Sequence, residues 1–153
     1  MQLTSFTPTT PLSSSPKLES ASVQFNELLS ELENRELPAS VIPKINTLID
    51  ELNQYEGNGN DLTKLVKKNQ GKIINLVVKE AKITPKNYYR TLWMSLGISV
   101  FGIPIGVFIG SLKNNMGLLG VGLPIGIGIG VLVGTYLDNK AAKEGKQLNF
   151  SLK

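Results

Sequence analysis

The chain has 153 residues, a net charge of +4, no cysteine and no histidine. Without these two residue types, disulfide scaffolds, thiolate or imidazole catalysis and most zinc sites are excluded. The charge is unevenly distributed, because residues 1–60 carry a net charge of −5, residues 61–90 a net charge of +6 and residues 91–153 a net charge of +3. The chain therefore has three regions with different electrostatic properties.

The first 16 residues are rich in serine, threonine and proline. They lack a basic segment followed by a continuous apolar run, so residues 1–16 do not resemble a cleaved signal peptide. Their composition predicts a disordered N-terminal arm.

Residues 17–84 are predicted to form a small cytoplasmic helical region, because apolar residues recur along one face at helical spacing. Ser15 and Pro16 are expected to begin the first helix and Asp61 to cap the third. The sequence EGNGN at 56–60 is a turn signal that ends the second helix. The three helices are expected at about 17–36, 41–55 and 62–83.

The third helix carries a lysine face opposite its Leu, Val and Ile stripe, formed by Lys64, Lys67, Lys68, Lys72, Lys79 and Lys82. This helix can lie on an anionic membrane surface, or it can pack on the two acidic helices before it. We treat these alternatives as the two states of a hypothetical switch, in which the acidic helices cover the basic helix until a partner removes them. Nucleic acid is not an expected partner, because the lysine face has no aromatic side chains.

Two windows, Thr91–Leu112 and Met116–Leu137, contain 22 residues each and no charged side chain. As helices they would be about 33 Å long, which matches a hydrocarbon layer of about 30 Å. Two buried helices in a soluble core would need a larger polar domain around them, so we predict two transmembrane spans. Because only three residues separate the windows, the spans form an antiparallel hairpin within residues 85–144. Thr84 and Pro85 are expected to start the helix that leads into it.

The flanking residues predict the orientation of the hairpin. Seven basic residues lie close to its terminal side and only Lys113 lies in the turn, so both termini are expected in the cytoplasm of a multi-pass inner or plasma membrane protein. Aromatic and basic side chains are expected at the same membrane interface. The predicted interface residues are Tyr88, Tyr89, Trp93, Tyr136, Lys86, Arg90, Lys140 and Lys143.

The pattern Gly-x-Pro-x-Gly occurs twice, at 102–106 and 122–126. If the turn centres on Asn114, the two copies face each other, and glycines at a spacing of four allow the two backbones to approach closely. The predicted packing residues are Gly102, Gly106, Gly110, Gly122, Gly126, Gly130 and Gly134. Three more glycines in the second span, Gly117, Gly120 and Gly128, suggest a second packing face and therefore a homo-oligomer.

Each span also contains a proline near its centre. Pro104 and Pro124 have no N–H, so each releases the carbonyl four residues earlier, and both helices are expected to kink or hinge. In the first span the hydroxyl of Ser99 or Ser95 is a candidate donor to the released carbonyl of Val100. No ionisable residue lies in either window, which disfavours an ion-coupled transporter.

The cytoplasmic tail comprises residues 145–153. Gly145 is expected to end the second helix, and Leu148, Phe150 and Leu152 alternate with polar residues. This alternation is compatible with a short strand or a docking tail.

The run from Tyr88 to Lys146, with GIPIG, GLPIGIGIG and LDNKAAKEGKQL, resembles small bacterial glycine-zipper membrane proteins with a helical hairpin. The resemblance covers about 40% of the chain. It implies a membrane location and close helix packing, but no activity.

These features predict an all-α, non-enzymatic protein in which a hairpin anchors a cytoplasmic interaction module that recruits a protein partner. The alternative function is an oligomeric pore or membrane-perturbing protein. No catalytic, cofactor-binding or metal-binding residues are predicted, because the remaining Glu, Asp, Ser and Lys residues form no sequence-defined site and no phosphate-binding loop is present.

Overall fold

The structure, a computed structural model, describes residues 2–9, 11 and 15–151, and it is all-helical over these residues. The described chain forms two compact units. The helical unit contains the residues up to Thr84 together with Leu148–Phe150, and the hairpin contains Pro85–Gln147 and Ser151. The prediction of an all-helical chain with two long apolar helices is confirmed.

Three helices make up most of the helical unit, namely α1 (Pro16–Glu33), α2 (Val41–Asn53) and α3 (Gly59–Leu76). A π-helical turn, Val77–Ala81, follows α3. The apolar stripes of the three helices meet in one core, because each helix hides its apolar face from water. The largest fully buried core side chains include Leu18, Phe25, Leu28, Leu32, Ile45, Ile49, Leu52, Leu62 and Ile73.

The start of α3 differs from the prediction. The helix begins at Gly59, and Asn58, rather than Asp61, is its N-cap, since the Asn58 side chain accepts a hydrogen bond of 2.9 Å from the Asp61 N–H. Asp61 instead lies in the first turn. Hydrogen bonds from Lys64 and then Asn58 hold the pKa of Asp61 below its usual value.

The lysine face of α3 is exposed, whereas its apolar stripe, including Leu62, Val66 and Ile73, is fully buried in the core. The two acidic helices therefore pack on the apolar side of α3, which is the second of the two alternatives predicted from the sequence. The lysines remain exposed, and Lys72 lies 3.9 Å from the Glu51 carboxylate of α2. The release of α3 by a partner stays a prediction.

The N-terminal segment differs from the predicted disordered arm. Residues 2–9 form neither helix nor strand, but Phe6 is buried edge-on against Phe25 with ring centroids 5.1 Å apart. Asn46 and Asn53 bind its backbone through Thr4 N–H, Ser5 C=O and Thr7 N–H, at 2.7–2.9 Å. One aromatic anchor and two asparagines thus order a segment of disorder-prone composition. Residues 10 and 12–14, also in the predicted arm, lie outside the described residues.

The tail after the hairpin returns to the helical unit. Leu148 and Phe150 are each only 1% exposed and belong to its core. The Leu148 N–H donates to the Thr84 carbonyl at 2.9 Å, and the Asn149 N–H donates to the Glu31 carboxylate at 2.9 Å. The hairpin is therefore inserted within the sequence of the helical unit, and Leu148 and Phe150 agree with the docking tail that was one of the two alternatives. Leu152 lies outside the described residues.

The hairpin contains two helices that are long and apolar enough to cross a membrane. Hairpin helix 1 is Tyr88–Leu112, with 25 residues, and hairpin helix 2 is Met116–Lys143, with 28 residues. Hairpin helix 1 consists of α4 (Tyr88–Gly97), a π turn (Ile98–Gly102) and α5 (Ile103–Leu112). Hairpin helix 2 begins with a 3₁₀ turn (Met116–Leu118) and continues as α6 (Leu119–Lys143).

Candidate functional site: the glycine-packed hairpin and its base

The interface between the hairpin helices is lined by glycines. All seven predicted packing glycines are buried. A Cβ atom on Gly126 would lie 2.6 Å from the N and Cα atoms of Gly102, and a Cβ on Gly122 would lie 2.7 Å from the Cα of Gly106. Both pairs are those expected from a turn centred on Asn114. Backbone therefore packs against backbone, and larger residues at these positions would separate the helices.

The glycine row continues toward the base of the hairpin. A Cβ on Gly130 would lie 3.0 Å from the Cα of Met94, and a Cβ on Gly134 would lie 2.6 Å from the Tyr89 carbonyl oxygen. Near the turn, a Cβ on Gly110 would lie 3.5 Å from the Cα of Met116. The closest approach is thus at the centre and base of the hairpin, and the packing loosens toward the turn.

Gly97 is a packing residue that the sequence analysis missed. It is buried, and a Cβ at this position would lie 3.0 Å from the Cα of Gly130. Gly97 lies five residues before Gly102, a spacing that would rotate it out of a four-residue row on a regular α-helix. The π turn Ile98–Gly102 accommodates one additional residue, so that Gly97 returns to the interface. A π turn leaves little signal in sequence, apart from the proline that follows it.

The two prolines lie in different settings. Pro104 is in the first turn of α5, directly after the π turn, and the Ile103 N–H donates to the Ile98 carbonyl five residues earlier. Pro124 lies inside α6, which continues through it as a single helix. The Ser99 hydroxyl donates to the Ser95 carbonyl at 3.4 Å, so the expected bond to Val100 is not the one formed. The hydrogen-bond pattern in hairpin helix 1 thus shifts immediately before its proline.

The turn of the hairpin is fixed by asparagines. Asn114 adopts the left-handed conformation with φ = 48°, which asparagine tolerates better than most residues, and the Asn115 N–H donates to the Gly110 carbonyl at 2.9 Å. The Asn115 side chain then accepts a hydrogen bond from the Gly117 N–H at 3.0 Å and caps hairpin helix 2. Backbone geometry therefore holds the turn end of the hairpin in register.

The base of the hairpin is held by Asp138, which the sequence analysis did not single out. Its carboxylate is buried and accepts hydrogen bonds from the N–H groups of Tyr89 at 3.1 Å and Arg90 at 2.9 Å. These are N–H groups in the first turn of α4, so Asp138 on α6 caps the neighbouring helix, where a negative charge is favourable. The sequence offered one signal for this role, namely a carboxylate directly after the uncharged window Met116–Leu137.

The start of hairpin helix 1 also differs from the prediction. The helix begins at Tyr88, rather than at Pro85, and Thr84 does not act as its cap because Thr84 is buried in the helical unit. Lys82 and Asn87 both adopt left-handed conformations, with φ = 59° and φ = 60°, and these interrupt the chain between the π turn and α4. Asp138 supplies the cap from another helix.

The predicted interface residues lie at this base. Lys86, Arg90, Lys140 and Lys143 are exposed, Tyr136 is 69% exposed, and Tyr88, Tyr89 and Trp93 are half-buried. The rings of Tyr88 and Tyr89 meet edge to face, with centroids 5.4 Å apart. Cationic and aromatic side chains thus share one end of the hairpin.

Two grooves open at the base. The polar groove, of about 180 Å³, is lined by Lys86, Asn87, Arg90, Thr135, Asp138, Asn139 and Gln147. The apolar groove, of about 500 Å³, is lined by Pro85, Lys86, Asn87, Tyr88, Thr91, Leu92, Ser95 and Ser151. Lys86 and Asn87 contribute to the lining of both grooves.

The outer faces of the hairpin are apolar. Only 17% of the residues are buried in the most apolar 18-residue stretch of each helix. A Cβ on Gly120 or Gly128 would have nothing within 4 Å, so these two glycines do not take part in the packing within the hairpin. A Cβ on Gly117 would meet only the side chain of Asn115, at 3.0 Å from its Oδ1 atom.

Among the described residues, no three His, Cys, Asp or Glu side chains are grouped so that they could hold a metal ion. The arrangement therefore offers packing surfaces, a capped base and two grooves. Comparisons of the chain with protein-family models, with curated proteins and with solved structures found no match.

Proposed function

We propose that the protein is a non-enzymatic integral membrane protein whose hairpin anchors the helical unit at a membrane. One observation supports this more than any other. Of the 15 large hydrophobic residues that are exposed in the described chain, all except Val23 lie in the two hairpin helices. The exposure of such an apolar surface to water is unfavourable, whereas its contact with the hydrocarbon interior of a bilayer is favourable.

A hairpin is suited to a bilayer for a second reason. The backbone hydrogen bonds of a helix are satisfied within the helix, and the turn at 113–115 lies outside the apolar windows. Close glycine packing supplies the van der Waals contacts that replace the hydrophobic effect in lipid. The resemblance to glycine-zipper membrane proteins fits the same proposal.

We place both chain termini in the cytoplasm of an inner or plasma membrane protein. The excess of basic residues at the base of the hairpin favours this orientation. The helical unit contains residues from before and after the hairpin, which supports a placement of both ends of the hairpin on one side of the membrane. An interaction with a cytoplasmic protein remains a proposal. A groove of about 340 Å³ offers a place for a side chain of such a partner, and its lining is mixed, with Gln2, Leu3, Leu32, Glu33, Arg35, Leu37 and Ile42.

We also propose a homo-oligomer, which the open glycines favour. Gly120 and Gly128 lie eight residues apart on α6, with Pro124 between them at a spacing of four. A second copy could approach this face as closely as the hairpin helices approach each other.

Membrane fractionation tests the anchor. We expect the chain to remain with membranes after alkaline carbonate and to dissolve only with detergent. Recovery as a stable protein in the aqueous fraction would refute the proposal.

The mass of the detergent complex tests the oligomer. Gly120→Leu with Gly128→Leu should reduce the complex to a monomer, and a complex of unchanged mass would contradict the role of this face. Dye leakage from liposomes that contain the protein would favour the alternative, a pore.

A further inference from the structure

We propose that the surface of the helical unit that holds residues 2–9 is a binding site for an extended segment of a partner protein. The segment that fits this site has an apolar residue three positions before an aromatic residue, and the chain's own residues 2–9 compete for the site. The proposal rests on the recruitment of a protein partner proposed above, and it names the kind of segment that is recruited. It does not depend on the membrane location of the hairpin.

The Asn46 side chain brackets Leu3. Its amide nitrogen donates to the Gln2 carbonyl at 3.3 Å, and its carbonyl oxygen accepts a hydrogen bond from the Thr4 N–H at 2.9 Å. The bracketed Leu3 side chain is half-buried and packs against the core of the helical unit. Both contacts of the Asn46 side chain are made to main-chain groups, which are present in any segment without proline at the donating position.

The Asn53 side chain repeats this arrangement around Phe6. Its amide nitrogen donates to the Ser5 carbonyl at 2.9 Å, and its carbonyl oxygen accepts a hydrogen bond from the Thr7 N–H at 2.7 Å. The bracketed Phe6 is 7% exposed and packs edge-on against Phe25. The same main-chain contacts therefore recur three residues later, with an aromatic side chain in the bracketed position.

The spacing of the two asparagines fits an extended chain. Asn46 and Asn53 lie seven residues apart on α2, which is about 10.5 Å at helical rise. The bracketed residues lie three positions apart, and three residues of an extended chain span about 10 Å. Because both asparagines make the same contacts, the segment between them has to be nearly extended. Thus α2 binds the backbone of the segment at a fixed interval, and the core accepts one apolar side chain at each interval.

The bound segment lies at the surface of the helical unit. Apart from Phe6, residues 2–9 are exposed or half-buried. Hydrogen bonds to the main chain contribute affinity, whereas the sites that receive the alternate side chains determine specificity. Another segment with the same apolar and aromatic positions can therefore replace residues 2–9. Leu3 also lines the groove of about 340 Å³ described above, so this groove belongs to the same surface.

The test uses the full-length protein in mild detergent and a fluorescent synthetic peptide, QLTSFTPT, with the sequence of residues 2–9. Thr4→Pro with Thr7→Pro weakens the competing segment of the protein, because it removes the two N–H donors to the asparagines and keeps both apolar side chains. We expect this double variant to bind the peptide about 30-fold more tightly than the wild-type protein, as the loss of two hydrogen bonds from the competitor would produce. Equal binding to both proteins, or binding to neither, would overturn the proposal.

Variants of the peptide test which of its groups are bound. The peptide with Phe6→Ala should bind the double variant about 100-fold more weakly, because it lacks the buried ring. The peptide with Thr4→Ala and Ser5→Ala should bind as tightly as the parent, because α2 contacts the main-chain groups of these residues. A peptide that keeps its affinity without the phenyl ring would contradict the proposed aromatic position.

A matched pair of asparagine variants tests the protein side of the site. In the double variant, Asn53→Ala should weaken peptide binding about tenfold, because the peptide loses its hydrogen bonds to this side chain. Asn75→Ala, at an exposed position of α3, should leave the affinity unchanged. An equal loss in both variants would argue against recognition by α2.

Two further measurements separate this proposal from its alternatives. If the wild-type protein forms a dimer that Thr4→Pro with Thr7→Pro dissolves, the occupant is the same segment of a second copy, and a separate partner is refuted. Membrane fractionation distinguishes the site from the anchor, since residues 2–9 and α2 belong to the helical unit. A membrane-bound chain that binds no peptide would refute the site alone, whereas a water-soluble chain that binds the peptide would refute the anchor alone.

Discussion

In the helical unit, buried positions are filled by large side chains such as Phe25, Leu28 and Ile49, and the lysines point into water. In the hairpin the arrangement is reversed, because glycines occupy most of the buried positions and large side chains such as Phe108 and Leu132 point outward. One chain thus contains two ways to join helices.

The membrane location proposed for the hairpin accounts for this difference. The helical unit gains free energy because it removes 18 large apolar side chains of its described residues from water. The hairpin would gain little in that way, because its large side chains remain at the surface. Its helices are joined by backbone contact, which is effective where lipid has replaced water.

The largest expected effect comes from placing a side chain in the glycine interface. Gly126→Leu should destabilise the hairpin by at least about 3 kcal/mol, the upper end of overpacking costs, because the new Cβ would lie 2.6 Å from the backbone of Gly102. Unfolding in mixed micelles, followed by circular dichroism, measures the change. Val121→Leu is the control on the same helix, since the Val121 side chain is 47% exposed. Equal destabilisation by both variants would contradict the packing described here.

The next effect tests whether the tail completes the helical unit. Phe150→Ala should destabilise this unit by about 3 kcal/mol, because it removes a large side chain that is 1% exposed. Hydrogen exchange of the α1 and α2 amides in the full-length protein reports this change. Phe108→Ala, which removes a phenyl ring that is 65% exposed on the hairpin, should leave the same amides unchanged. Unchanged exchange in Phe150→Ala would show that the tail is dispensable.

A smaller effect is expected at the hairpin base. Asp138→Ala should cost about 1 kcal/mol, as the loss of a helix cap does, and should speed hydrogen exchange at the Tyr89 and Arg90 amides. Asn139→Ala, at an exposed neighbouring position, is the control. Faster exchange in the control but not in Asp138→Ala would argue against the cap.

The smallest expected effect is a stabilisation, whereas the three substitutions above are destabilising. Gly71 lies in α3 with nothing within 4 Å of its Cβ position, so Gly71→Ala should stabilise the helical unit by about 0.5–1 kcal/mol. Gly97→Ala in the hairpin should be destabilising, because its Cβ would lie 3.0 Å from the Cα of Gly130. Chemical denaturation of both variants measures whether each substitution raises or lowers the free energy of unfolding. Stabilisation by both substitutions would remove the distinction between the two kinds of glycine.

The elements that could be predicted from sequence are those with a regular local pattern. The apolar periodicity in α1–α3, the uncharged windows and the glycine spacing of four each depend on residues close together in the chain. The pairings of Gly102 with Gly126 and of Gly106 with Gly122 followed from the turn length alone. Such features need no knowledge of distant contacts.

The elements that could not be predicted depend on distant or irregular contacts. Phe150 reaches the helical core only because the hairpin returns the chain to it, and Asp138 caps a helix that begins 50 residues earlier. Gly97 joins the interface only through a π turn, and Phe6 orders a segment whose composition resembles disorder. In each case a tertiary contact overrides the local signal.

The discontinuity of the helical unit has a consequence for biosynthesis. Leu148 and Phe150 are translated after both hairpin helices, so a ribosome must synthesise the entire hairpin before these two core residues become available. Domains otherwise tend to fold in order from the N-terminus during translation. Here the core of α1–α3 stays incomplete until the hairpin has been translated, because Leu148 and Phe150 follow the hairpin in the sequence.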